Sequence, residues 1–435
     1  MSWPVALAVY GLLLAAFLLG GTGIGVAIGI VGVLGITFVS GTQLWLSLGD
    51  IVWNTTNTFT LVSIPLFVLM GEIILRSGIS TRFYNGIGTL LRGLPGALAQ
   101  TNIVGCAIFS AIAGSSVATA MTVGTVAIPE MRKRGYSDRL TLGTLTGGGC
   151  LGILIPPSIP MIVYASMTQV SVIDLFMAGV IPGLALAAIF MVYVAWRVWS
   201  DPTLAPPPEP RASGAAMRRG ALDSVPVILL IAAVISSMYF GIVTPTEAAA
   251  LGCLIAFVLA LAYRELTRAR LMEAVRNAAI TSGVVMFITL NAQILNFAVV
   301  TSGIGEGLAQ GLAALGLPKL LFFCLLFLIY LVVGMFIDGL SIMLLTVPLL
   351  YPSFLAVGFD PIWVGVIIVV FIELGALTPP MGLNLFAIQS IANDRSLAEV
   401  ATASMPYTLM ISAFAFLLYA VPQLALWLPA MMKAS

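Results

Sequence analysis

Long apolar segments, separated by short polar stretches, follow one another along almost the whole chain. A helix that crosses the hydrocarbon core of a bilayer needs ~20 apolar residues, and several of these segments are long enough for two crossings. The pattern therefore predicts an all-α polytopic membrane protein. The first segment lacks a basic leader and runs into further apolar sequence, so we expect a retained span and not a cleaved signal. The apolar segments cover residues 3–39, 51–75, 94–130, 140–199, 225–263, 278–300, 317–350, 362–391 and 403–432.

The composition agrees with a membrane protein and argues against other classes. Hydrophobic residues make up 60% and charged residues 8% of the 435 residues, too little polar surface to coat a soluble globule. A net charge of +1 gives no reason to expect a nucleic-acid partner. Because the chain has no histidine, no GxSxG motif and no Walker-type loop, we do not expect an intramembrane enzyme. Four cysteines stand singly in apolar segments and predict buried thiols: Cys106, Cys150, Cys253 and Cys324.

Five short motifs of the first half recur in the same order in the second half, 223 or 225 residues later. A near-constant offset predicts two structural repeats, residues 1–199 and 225–432, joined by a polar, proline-rich linker at 200–224. The paired motifs are SGIS at 77 with SGIG at 302, GLPG at 93 with GLPK at 316, AGSS at 113 with DGLS at 338, GILIPPSIP at 152 with GALTPPMGL at 375, and SVIDLFMAGVIP at 171 with SLAEVATASMP at 396.

Basic residues change sides between the two halves, which predicts inverted repeats. The stretch 76–92 is rich in arginine and its counterpart 301–317 has no basic residue, whereas loop 40–50 has none and its counterpart 264–276 has four. Because Lys- and Arg-rich loops stay cytoplasmic, we expect a periplasmic N-terminus, a cytoplasmic linker, and five spans plus one returning hairpin in each repeat. This topology puts sixteen of the eighteen basic residues in the cytoplasm, the exceptions being Lys319 and Lys433. The sixteen are Arg76, Arg82, Arg92, Arg132, Lys133, Arg134, Arg139, Arg197, Arg211, Arg218, Arg219, Arg264, Arg268, Arg270, Arg276 and Arg395.

Residues 94–130 and 317–352 are each too long for one span and have small or polar residues at their centres. They predict re-entrant hairpins, although two ordinary short spans give the same charge count and remain an alternative. Irregular backbone at membrane depth is stable only where it lines protein or a wet cavity. Two hairpin tips in one chain therefore predict a shared central site.

A pair of adjacent prolines interrupts one apolar segment in each half. Proline removes an N–H and clashes with the preceding turn, so a helix unwinds there and leaves carbonyls free. Such broken helices can offer carbonyls to a cation and half-helix N-termini to an anionic substrate. We predict broken helices at 140–165 and 362–391, each completing a sodium site with its own hairpin. The alternative is that the prolines only kink the helices while the serines bond to nearby carbonyls.

The candidate ligands are mostly uncharged oxygens, which suit sodium. Predicted sodium site one consists of Ser110, Gly114, Ser115, Ser116, Gly152, Ile155, Pro156 and Ser158. Predicted sodium site two consists of Gly334, Asp338, Gly339, Ser341, Gly375, Thr378, Pro379 and Met381. The predicted substrate contacts are Ser116, Pro157, Ser158, Pro380 and Asn384.

Acidic residues inside apolar segments are few and therefore indicate function. Asp338 lies at the second tip and Glu373 lies five residues before Thr378, while their first-half counterparts are the uncharged Ala113 and Cys150. We therefore expect the two ion sites to differ.

Other charged residues near span ends predict structural roles. We expect Glu72 to pair with a neighbouring arginine, and Glu247 to lie in the first turn of a helix with Thr246 as its N-cap. The Arg-rich stretches 76–92 and 264–276 are typical of cytoplasmic interfacial helices, with contacts to lipid headgroups as the alternative.

Together these motifs resemble the large membrane subunit of the tripartite ATP-independent periplasmic (TRAP) transporters, over roughly residues 10–425. The resemblance implies a sodium-driven importer of organic acids in the bacterial inner membrane, with an elevator mechanism and two partners, a small membrane subunit and a periplasmic binding protein. Since the chain begins directly with its first span, we expect the four-span small subunit to be a separate polypeptide. The motifs are IPLFVLMGEIILRSGIS, GSSVATAMTVGTVAIPEMRKRGY, LGILIPPSIPMIVYA, TPTEAAALG, GMFIDGLSIMLLTVPL and LTPPMGLNLF.

A stand-alone divalent-anion/sodium symporter is the main alternative, because it would share the inverted hairpin design and need no partner. Genes for a binding protein and a small subunit beside this one would exclude it. The lack of histidine removes the usual proton relay and favours sodium, while carboxylate-based proton coupling stays open.

Overall fold

The structure, a computed structural model, describes residues 2–207, 209–210 and 212–434, so Arg211 of the predicted cytoplasmic set lies outside it. The described residues form twenty α-helices with short 3-10 and π-helical segments, and they contain no β-strand. The prediction of an all-α protein is confirmed. The helices are α1 (Trp3–Leu19), α2 (Ile24–Gly35), α3 (Leu46–Thr56), α4 (Ser63–Arg76), α5 (Ile79–Leu90), α6 (Ala97–Ala113), α7 (Ser116–Lys133), α8 (Asp138–Gly149), α9 (Ile159–Thr168), α10 (Val172–Ser200), α11 (Gly214–Tyr239), α12 (Pro245–Ala262), α13 (Arg268–Thr301), α14 (Ile304–Ala314), α15 (Lys319–Gly334), α16 (Gly339–Ala356), α17 (Pro361–Leu377), α18 (Leu383–Ile391), α19 (Leu397–Ala420) and α20 (Gln423–Ala434).

Many of these helices are suited to a membrane. Within the described ranges, seven are long and apolar enough to cross a bilayer: α4 with the 3-10 turn before it, α10, α11, α12, α13, α16 and α19. Further apolar helices, among them α6, α15 and α17, are shorter. A multi-pass membrane protein is therefore supported, as the apolar segments predicted.

Helix α17 is enclosed by other helices. Every residue from Trp363 to Gly375 is buried, and α10, α15, α16 and α19 pack around it. The ring of Phe371 lies 5.4–5.8 Å from the rings of Phe323, Phe327 and Tyr330. This packing holds α17 in place.

A second group of helices packs around α13. Helices α2 and α4 contact α13, α12 contacts α4, and α11 contacts both α5 and α12. The Arg-rich stretch 76–92, predicted to form an interfacial helix, contains helix α5. The stretch 264–276, for which the same was predicted, forms no helix of its own. Thr267 caps α13 by accepting from the Arg270 N–H at 3.3 Å, and α13 then continues without a proline to Thr301.

The start of α12 corrects one predicted cap. Thr244, not Thr246, is the N-cap: its hydroxyl accepts from the Glu247 N–H at 3.4 Å, and the Glu247 carboxylate accepts from the Thr244 N–H at 2.8 Å. Pro245 suits the first helical position because it lacks an N–H. Thr246 instead donates to the carbonyl of Phe59. Glu247 does lie in the first turn, as predicted.

Two further predictions about single residues can be compared with the structure. Glu72 pairs with Arg76 at 2.9 Å, as expected. All four cysteines are free, but only Cys106 and Cys150 are buried. The other two are half-buried because they lie on α12 and α15, which expose one face.

The predicted linker at 200–224 is partly helical, since α11 begins at Gly214. Ahead of α11, Glu209 forms ion pairs with Arg92 and with Arg134, the latter at 3.1 Å. The segment after α10 is thereby attached to the chain at the ends of α5 and α7.

Candidate ion and substrate site

The predicted first hairpin contains α6 and α7, which pack against each other and are joined by a tight turn, tip one (residues 114–116). Gly114 adopts a left-handed conformation with φ of 58°, which favours glycine. Ser115 is extended and caps α7, accepting from the Ala118 N–H at 3.5 Å. The N-terminus of α7 therefore lies at tip one.

The first proline pair separates α8 from α9, as the sequence predicted. A 3-10 turn, Cys150–Ile153, follows α8, and α9 begins only after Ser158; break one is residues 150–158. Both proline pairs contain a cis peptide bond, Pro156–Pro157 and Pro379–Pro380. The hydroxyl of Ser110 donates to the carbonyls of Leu151 and Ile155, the latter at 3.4 Å. Ser110 thus donates to carbonyls within break one, which is the alternative role that the sequence left open for the serines.

Break one packs directly on tip one because Gly152 and Gly114, which have no side chain, lie at the contact. A Cβ atom added to Gly152 would lie 2.5 Å from the Cα and 2.7 Å from the nitrogen of Ser116. One added to Gly114 would lie 3.1 Å from the carbonyl oxygen of Pro157. The contact between tip and break is therefore one of backbone against backbone.

The second half has the same elements in the same order. Helix α15 ends at Gly334 and α16 begins at Gly339; tip two is residues 335–339. Asp338 caps α16, accepting from the Ser341 N–H at 3.1 Å. Helix α17 ends at Leu377 and α18 begins at Leu383, so break two is residues 378–382.

Glycine also allows close contact between the second hairpin and the end of α17, just before break two. A Cβ atom on Gly375 would lie 2.7 Å from the Cα of Gly334. The hydroxyl of Thr378 donates to the Leu374 carbonyl at 2.6 Å. The end of α17 thus packs on the end of α15 as closely as break one packs on tip one.

Polar side chains, by contrast, connect the two halves of the chain. Ser116 donates from its hydroxyl to a carboxyl oxygen of Glu373 at 2.5 Å. The Cys150 thiol donates to the Glu373 carbonyl at 3.8 Å, and the Asn384 amide donates to the Cys150 sulfur at 3.4 Å. Glu373 and Asn384 from the second half thereby contact tip one and break one.

Both tips line one open cavity of about 190 Å³. Its walls are largely apolar, no Lys or Arg is among the described residues that line it, and Asp338 is its one acidic side chain. Six of the predicted site residues line it: Gly114, Ser115, Ser116, Asp338, Gly339 and Asn384. The remaining ones do not: Ser110, Gly152, Ile155, Pro156, Pro157, Ser158, Gly334, Ser341, Gly375, Thr378, Pro379, Pro380 and Met381.

Several buried oxygens near the tips have no hydrogen-bond partner in the described part of the chain. They are the Ser158 and Ser341 hydroxyls, the second carboxyl oxygen of Glu373 and the side-chain carbonyl of Asn384. A buried polar atom without a partner costs ~1–3 kcal/mol, so each is suited to a bound ligand. Neutral and carboxyl oxygens of this kind fit a hard cation such as sodium. Met381, 52% exposed, differs from this buried set.

The comparison with known proteins agrees with the geometry. The family described as "Tripartite ATP-independent periplasmic transporter, DctM component" matches residues 12–424. The chain belongs to this family. This DctM-family permease is 34% identical to the C4-dicarboxylate TRAP transporter large permease protein DctM of Pseudomonas aeruginosa, covering 88% of this chain and 89% of that protein. It is 33% identical to the protein of the same name from Rhodobacter capsulatus, covering 98% of each.

Among solved structures, the DctM-family permease is similar in fold to the YdaH transporter of Alcanivorax borkumensis. The TM-score is 0.60 with 13% identity, and the match covers 90% of each chain. The predictions of a TRAP large permease subunit and of a protein that is not an enzyme are confirmed by family membership.

Ten residues that line the cavity of this DctM-family permease were not among the predicted ones, and two of them come from an unexpected helix. Thr281 and Val285 of α13 face the cavity, although α13 belongs to the other group of helices. They are four residues apart and so share one helix face. Since polar residues occur all along α13, no pattern in the sequence singles out that face.

Proposed function

We propose that this permease imports an organic acid anion across the bacterial inner membrane, coupled to sodium. Its substrate is delivered by a periplasmic binding protein, and a small four-span subunit completes the membrane complex. The family description and the C4-dicarboxylate permeases among its relatives support this class of substrate and these partners.

The observation that carries the proposal is the single cavity lined by both tips, with unpaired buried oxygens beside it. Sodium at each tip would satisfy the unpaired oxygens of Ser158, Ser341 and Asn384 and offset the charge of Asp338. Helix α7 begins at Ser116 and helix α16 begins at Gly339, and both residues line the cavity. Helix N-termini favour anions, so they bind the carboxylate of the substrate in a cavity whose described lining residues include no Lys or Arg.

The proposed mechanism is of the elevator type, with two inverted repeats. Helices α6–α10 and α15–α20, with both tips and both breaks, form the moving transport domain. Helices α2, α4 and α11–α13 form the scaffold. The presence of Thr281 and Val285 in the cavity wall supports this division, because a scaffold helix then covers the substrate on one side.

The orientation is tested by labelling single cysteines in a background without the four native ones. Gly214→Cys in the predicted linker is expected to resist an impermeant thiol reagent added outside, while Gln43→Cys is expected to react. The reason is the predicted topology, which places the linker and sixteen of the eighteen basic residues in the cytoplasm and loop 40–50 outside. Both positions are exposed, so accessibility from either side decides the result. Reversed labelling would overturn the orientation.

The transport activity is tested with purified permease, small subunit and binding protein in proteoliposomes. We expect uptake of a radiolabelled organic acid, chosen by thermal-shift screening of the binding protein, to require both that protein and an inward sodium gradient. Equal uptake with an inward potassium gradient would contradict sodium coupling. Sodium-driven uptake without the binding protein would favour the stand-alone symporter.

A further inference from the structure

The Ser116–Glu373 hydrogen bond joins a residue of predicted sodium site one to α17, the helix that carries Gly375 of predicted sodium site two. Ser116 is the first residue of α7 and lines the cavity at tip one. Glu373 lies two residues before Gly375, whose backbone packs on Gly334 at the end of α15. One side-chain contact of 2.5 Å therefore connects tip one with the segment that supports break two.

Glu373 is held in this position from several directions. Its side chain is buried, with 1% of the residue exposed, and among the described residues it forms no ion pair. Cys150 of break one donates to its carbonyl, and Asn384 donates to Cys150. Ionisable groups are costly at membrane depth and are retained where they function. A residue that only filled space here would be apolar.

We propose that Glu373 is a positioning residue that couples the two sodium sites, so that an ion bound at one tip raises the affinity of the other. This inference rests on the proposed function. By accepting the hydroxyl hydrogen of Ser116, Glu373 leaves the oxygen lone pairs of Ser116 free for a cation at tip one. A bound cation then fixes Ser116 and, through it, Glu373 and the end of α17. The second site is then partly ordered before its own ion binds. Binding of the second ion therefore loses less conformational entropy, and its affinity is higher.

Two variants distinguish the effect of the side-chain length of Glu373 from the effect of its negative charge. Glu373→Gln keeps an acceptor oxygen at the same distance and removes the charge, whereas Glu373→Asp keeps the charge and is one methylene too short to reach Ser116. We expect the Gln variant to retain a sodium Hill coefficient above one. We expect the sodium Hill coefficient of the Asp variant to fall to about one. Its affinity for the first sodium ion should change far less than its cooperativity.

The measurement is sodium-dependent uptake by the complete reconstituted system, with thermal unfolding of each purified variant as a control for folding. If Glu373 were a direct sodium ligand, Glu373→Gln would impair sodium-dependent uptake more than Glu373→Asp does. That result would overturn the proposal. So would an Asp variant that keeps the parental Hill coefficient. If the parent shows sodium dependence with a Hill coefficient of one, the coupling is absent while the proposed function stands. If the parent shows no sodium dependence, both fail.

A double-mutant cycle gives an independent readout. Ser116→Ala removes the donor, so Glu373→Asp should change the Hill coefficient no further in that background. Additive effects of the two substitutions would show that Glu373 acts on the ions by some path other than Ser116, and would contradict the proposal.

Discussion

Replacing Gly152 with alanine is expected to abolish sodium-driven uptake, with a loss of about a hundredfold or more. The added methyl carbon would lie 2.5 Å from the Cα and 2.7 Å from the nitrogen of Ser116. Both are backbone atoms of tip one, so no side chain can rotate away, and tip and break must separate. Displacing a binding group by about 1 Å is enough to cost two orders of magnitude in rate.

The matched control is Gly283→Ala, at a glycine in the long helix α13. An added Cβ there meets nothing within 4 Å, and alanine favours the helix over glycine by ~1 kcal/mol. Uptake by this variant should equal that of the parent. Measured in proteoliposomes at saturating sodium, an active Gly152→Ala permease would show that the contact between break one and tip one does not control transport.

The positions of the two tips and the two breaks were predictable from sequence because prolines and small residues interrupt otherwise apolar segments. The 3-10 turn that follows α8 ends three residues before Pro156, and α17 ends two residues before Pro379, for the steric reason that applies to any proline. Asp338 was recognisable as a charged residue within an apolar segment, and in the structure it lines the cavity. These are local properties of the chain, so they need no knowledge of the fold.

What the sequence left open depends on contacts between distant segments. Ser116 and Glu373 are 257 residues apart, and neither residue's neighbours in sequence specify the other as partner. The wall formed by Thr281 and Val285 arises from the packing of α13 on α16, which periodicity within α13 does not encode. The error at Thr246 has a similar origin: Thr244 and Thr246 are both good caps, and only the backbone path at Pro245 decides between them.

Replacing Asp338 with asparagine is expected to raise the sodium concentration for half-maximal uptake by at least about tenfold. A unit charge at ~4 Å is worth ~4 kcal/mol at an effective dielectric constant of ~20, and ~1.4 kcal/mol already corresponds to a factor of about ten in affinity. Asparagine caps a helix about as well as aspartate. The variant should therefore keep the bond to the Ser341 N–H, now 3.1 Å, and lose mainly the charge that faces the cavity.

Asp360→Asn supplies the matched control, because Asp360 has the same structural role at the start of α17. It accepts from the Ile362 and Trp363 N–H groups at 2.8 and 3.1 Å, but it does not line the cavity. Both variants keep a cap and lose one negative charge, so a general effect of charge on folding would affect them equally. We expect a change in sodium affinity only for Asp338→Asn, measured as uptake against external sodium at constant ionic strength. An equal change in both variants, or in neither, would show that the carboxylate at tip two does not bind the ion, and sodium site two would have to lie elsewhere.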